Sequence, residues 1–75
     1  MKNIKQKLLY KALQSSCQAE EDEAVANLVV YFKNAAGIGE HPQVVEEMKK
    51  QLEKAANARD RQEYLSEVMK KYVKD

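Results

Sequence analysis

Every residue that breaks helices falls inside one short window. The two glycines and the single proline are Gly37, Gly39 and Pro42. The flanks 2–36 and 43–74 hold no breaker and are rich in Ala, Leu, Lys, Glu and Gln, the strongest helix formers. β-Branched residues are few outside Val25–Val30 and Val44–Val45. A chain punctuated only once has one simple fold. We expect an all-α helical hairpin of two long antiparallel helices in a single domain: arm one 2–36, turn 37–41, arm two 42–74.

The turn residues suit that plan. Gly37 stands where a helix C-terminus adopts a left-handed conformation, which glycine enters without steric cost. Ile38, one residue on, is placed to touch Phe32 across the cap. Pro42 fits the first position of the next helix, where its missing N–H is not needed. Glu46 and Glu47 follow near that helix's positive end. His41 is left as the N-cap, an unusual residue there, since Ser, Thr, Asp or Asn normally serve.

Apolar periodicity asks whether each arm is one helix or two. At 100° per residue, Ile4, Leu8, Leu9, Ala12 and Leu13 share a face. Ala24, Leu28, Tyr31, Phe32 and Ala35 share another, rotated from the first by more than superhelical drift explains. Ser15-Ser16 followed by Glu20-Glu21-Asp22-Glu23 reads as a fresh helix start, a serine cap and then acids. In arm two, Val45, Met48, Leu52, Ala55 and Arg59 share a face from which Leu65, Val68, Met69 and Tyr72 depart. Asp60 and Glu63 there have capping-box spacing. Two architectures are therefore open: a long hairpin, kinked or straight, or four short helices near 3–14, 18–36, 42–57 and 61–74. The hairpin is the simpler.

A chain of 75 residues buries little surface and needs further support. Cys17 is the only cysteine and His41 the only histidine, so neither an internal disulfide nor a zinc site is expected, and no cofactor. Regular helix packing and self-association remain, and we expect an oligomeric helical bundle. The start Met1-Lys2-Asn3-Ile4-Lys5 lacks a signal core, and the longest apolar run, Leu28–Phe32, is far short of the ~20 residues that span a bilayer. The expectation is a cytoplasmic protein without membrane contact. Net charge is +1, which argues against non-specific binding to nucleic acid. The charges are segregated: Lys2, Lys5, Lys7 and Lys11 without an acid, then Glu20-Glu21-Asp22-Glu23 without a base.

Three groups of residues are candidates for function. Around the turn, Gly39, Glu40 and His41 with Lys33 and Asn34 offer backbone amides and polar groups to a ligand. Glu40 opposes an anion there, and turn formation is the competing explanation; it accounts for Gly37, Ile38 and Pro42 but does not call for Gly39, Glu40 and His41. At the outer end, Lys7, Tyr10, Lys11, Lys71 and Tyr72 combine cations with aromatic faces, as a nucleotide requires. Tyrosine is equally at home in a protein interface. Leu9, Leu13, Leu65, Met69 and Tyr72 are expected to cover one another between copies. No catalytic residue is assigned: His41 lacks a pocket and a positioned partner, and Cys17 lies among acids that disfavour its thiolate.

The string Ala36-Gly37-Ile38-Gly39-Glu40-His41-Pro42 with Val44-Val45-Glu46-Glu47 resembles a motif of small helical proteins encoded by tailed phages. The likeness extends over residues 31 to 65 through an aromatic-bearing helix before the turn and Ala55, Ala56, Ala58 and Asp60 after it. That family has no assigned activity. The resemblance implies a non-enzymatic viral accessory protein of the host cytoplasm that acts by binding a host protein. The alternatives are an oligomeric sponge for a nucleotide signal of host defence, or a structural component of the virion.

Overall fold

The computed structural model describes residues 3–34 and 42–73. Helix α1 runs unbroken over Ile4–Lys33. Helix α2 covers Pro42–Val68 and continues into a π-helical turn over Met69–Val73. The two pack antiparallel as a hairpin 55 Å long and 17 Å by 13 Å in section. Long, uninterrupted helices therefore replace the four-helix alternative. The turn residues expected at 37–41 lie outside the described residues, as do Gly39, Glu40 and His41 as candidate ligands.

Asn3 caps α1. Its side-chain Oδ1 accepts from the backbone N–H of Lys5 at 2.8 Å and of Gln6 at 3.3 Å, satisfying two amides that have no partner within the helix. Replacing Asn3 by Ala should cost about 1 kcal/mol, read as a fall in the urea midpoint. The other end stops at Lys33, short of residue 36. Asn34 closes it, donating from its backbone N–H (3.1 Å) and its Nδ2 (2.9 Å) to the Val30 carbonyl.

The fresh starts expected at Ser15-Ser16 and Asp60 do not occur, because both helices cross those points without a break. Cap residues mark a start only where tertiary packing leaves the helix free to end. Here the acids that imitate a first turn have another use. Glu20, Glu21 and Glu23 reach across to Arg61, Arg59 and Lys54 of α2.

The seam follows a heptad. On α1 it is Tyr10, Gln14, Cys17, Glu21, Ala24, Leu28 and Tyr31; on α2 it is Val44, Met48, Gln51, Ala55, Ala58, Gln62, Leu65 and Met69. All of these are buried or half-buried. Side-chain bonds from Gln14 to Gln62 (3.3 Å) and from Asn27 to Gln51 (3.2 Å) fix the register. That register sets Ala24 level with Ala55 and Glu21 level with Ala58. Continuing the spacing beyond Leu65 would bring Tyr72 onto the seam. The π turn adds a residue, leaving Val73 half-buried and Tyr72 79% exposed.

This seam keeps part of each apolar face expected in the inner halves and in late α2, namely Ala24, Leu28, Tyr31, Met48, Ala55, Leu65 and Met69, and corrects the rest. Phe32, expected beside Tyr31 in the core, is 68% exposed. Val45 and Leu52 are exposed although Met48 and Ala55 are not. Ile4, Leu8, Leu9 and Leu13 lie off the seam and face outward.

Candidate interaction surface

The middle of the seam is a polar clasp flanked by small side chains. Cys17, Ala24, Ala55 and Ala58 are the buried apolar residues among those described, and none of the large side chains is fully buried. Glu21 lies between them, 8% exposed. Its Oε2 accepts from Arg59 Nε at 2.9 Å and is 2.9 Å from Arg59 Nη2. Its Oε1 accepts from Gln62 Nε2 at 3.0 Å and from Gln18 Nε2 at 3.4 Å. Gln62 also donates to the Ala58 carbonyl at 3.2 Å. A carboxylate so enclosed is stabilised by donors on both helices, and this fixes the register more than it adds stability. Glu20 Oε2 is 2.6 Å from Arg61 Nη2, a charge contact not aligned as a hydrogen bond.

Farther toward the turn, Lys54 Nζ donates to exposed Glu23 Oε1 at 2.7 Å. That hydrogen bond, reinforced by the ammonium charge, holds the Glu23 carboxyl below its ordinary value of 4.5. A lowered folded-state pKa contributes stability above the unfolded value and loses it as pH falls through the folded one. Glu23→Gln should therefore flatten part of the loss of stability below about pH 4.5, measured by urea unfolding across an acid series.

The clasp offers no reaction centre: its donors are consumed by one another, and Cys17 is buried against the partner helix. Among the described residues no group of three His, Cys, Asp or Glu side chains is placed to hold a metal. None of the described helices is long and apolar enough to cross a membrane.

Outside the seam the two helices differ. The outward surface of α2 carries Lys49, Lys50, Glu53, Asp60, Glu63 and Glu67, all exposed. Pairs such as Lys49–Glu46 and Lys50–Glu47, at 3.4 and 3.2 Å, tie this face together in solvent. The outward surface of α1 instead carries Ile4, Leu8, Leu9, Leu13, Val29 and Val30, all substantially exposed.

Two depressions lie on these flanks. Leu13 and Leu65, expected to join in self-association, line one of about 260 Å³ with Cys17, Arg61, Tyr64 and Val68. Leu9 is exposed on the same helix, whereas Met69 is half-buried on the seam. Tyr64 and Val68 belong to this patch and were not among the residues expected in self-association, although Val68 shares the face of Leu65 and Tyr64 lies one turn before Val68. The second depression, about 480 Å³, is lined by Ile4, Lys7, Leu8, Tyr10, Lys11 and Gln14. It unites Lys7, Tyr10 and Lys11 as expected. Lys71 and Tyr72 are not among its described lining residues. Near the turn, Lys33 is exposed, and the Asn34 amide is engaged with Val30.

Comparison with protein-family models, curated proteins and solved structures finds no match.

Proposed function

We propose that the protein is a non-enzymatic binding module that works as a self-associated helical hairpin. The carrying observation is an imbalance between the helices: among the described residues eight large apolar side chains are exposed on α1 and four on α2 and its π turn. The hairpin alone leaves α1 half covered. Small side chains at the middle of the seam add to the need for a second surface, since alanine burial contributes far less than the about 1.5–3 kcal/mol of a buried leucine or valine.

The resemblance around residues 36–47 supports the role of a tailed-phage accessory protein, directed at a host protein in the host cytoplasm. The depression bearing Lys7, Tyr10 and Lys11 favours a second reading, an oligomeric sponge for a nucleotide signal. Thermal shift against cyclic and linear nucleotides separates the two. Stabilisation lost in Lys7→Ala favours the sponge; silence across the panel favours the protein partner.

Self-association makes stability depend on concentration by mass action. Thermal midpoints should rise by several degrees over a hundredfold increase in protein concentration. A midpoint that does not move contradicts the reading.

A further inference from the structure

We infer that the occupant of the outward face of α1 is α1 of a second copy, lying antiparallel about a two-fold axis. This rests on the self-association proposed above and specifies its geometry.

Area is the first argument. The chain exposes 6127 Å², whereas a compact protein of 8.6 kDa exposes about 4,700 Å² by the usual scaling. The surplus exceeds the roughly 800 Å² that each partner contributes to a standard interface. On α1, Ile4 is 74% and Leu8 62% exposed.

Charge supplies the orientation. The first half of α1 carries Lys5, Lys7 and Lys11, none of which has an acidic partner among the described residues. The middle carries an acidic run in which Glu20, Glu21 and Glu23 are paired to α2. Asp22 has no cationic partner among the described residues and accepts only from Gln18 Nε2 at 3.0 Å. A parallel arrangement would set lysines beside lysines and acids beside acids. An antiparallel one sets each basic half against the acidic middle of the other copy, twice, by symmetry.

Heptad spacing then selects a register. The outward positions Lys5, Leu8, Ala12, Ser15, Ala19 and Asp22 repeat at the interval of the seam on the opposite side of the helix. One antiparallel alignment sets Lys5 level with Asp22 of the partner subunit. The same alignment sets Leu8 level with Ala19 of the partner subunit, a large side chain facing a small one.

Sedimentation equilibrium on four samples, the native chain, two variants and their mixture, tests this. Lys5→Asp alone and Asp22→Lys alone each place like charges together at two symmetric sites. Each should weaken association roughly tenfold. An equimolar mixture of the two variants restores both pairings in a mixed dimer and should associate within about twofold of the native chain. Circular dichroism checks that each variant keeps its helices, and both substituted positions are exposed. A native chain that associates, with variants that match it or a mixture no tighter than its components, overturns the antiparallel register and leaves the self-association reading standing. A native chain that stays monomeric overturns both.

Discussion

Ala58→Leu should lower the thermal midpoint by roughly 10–20 °C at fixed protein concentration, the largest stability effect expected of any conservative exchange in this chain. Ala58 is fully buried and level with Glu21 across the seam, where no space exists for three more carbons. Overpacking of this kind costs about 1–3 kcal/mol, and a domain of this size moves about 4–8 °C per kcal/mol. Here the helices would also have to part at Glu21, stretching its bonds to Arg59 and Gln62. Ala56→Leu, two residues away and exposed, should change the midpoint by no more than a few degrees. Equal effects at the two positions would mean that the alanine seam does not set the helix separation.

The second large effect concerns association. Leu8→Glu should raise the dissociation constant roughly a hundredfold or more while leaving helicity intact. One leucine is lost from each copy, at about 1.5–3 kcal/mol apiece when buried, and a charge takes its place. Glu53→Lys, on the charged outward surface of α2, should leave association within about twofold. Gel filtration over a dilution series reads both. If Glu53→Lys dissociates the protein and Leu8→Glu does not, the wrong helix has been placed at the interface.

The hairpin was legible because Gly37, Gly39 and Pro42 are confined to one window and the flanks hold none of the breakers. Pro42 does open α2. The seam was legible only in part from apolar residues, and the reason is physical. The faces read from periodicity hold Ala24, Leu28 and Tyr31, Met48 and Ala55, and Leu65 and Met69, all on the seam. Its middle meets through alanine and a sequestered carboxylate and shows no leucine stripe, so the scan also gathers Ile4, Leu8, Leu9 and Leu13, which are left outside.

The signal that marks the seam is electrostatic. Glu20–Glu23 precede the turn by about the distance at which Lys54, Arg59 and Arg61 follow it, so folding back brings them together. Those same acids, read locally, imitate a helix start. Tyr72 illustrates a different limit. Its exposure depends on the π turn at Met69–Val73, and helical periodicity assumes that no such turn is present.

Of the candidate groups, Lys7, Tyr10 and Lys11 come together because they lie within two turns of one helix. Leu13 and Leu65 meet only because the hairpin register carries one past the other. Surface-apolar residues on α1 carry the functional claim; of these, Leu9 and Leu13 were legible as cover between copies, whereas Leu8 was legible only as part of an apolar face.

Light scattering on the native chain as it leaves a sizing column tests that claim most directly. The account predicts a mass of at least twice 8.6 kDa at micromolar concentrations and above. A mass of 8.6 kDa that holds over the whole concentration range would contradict it.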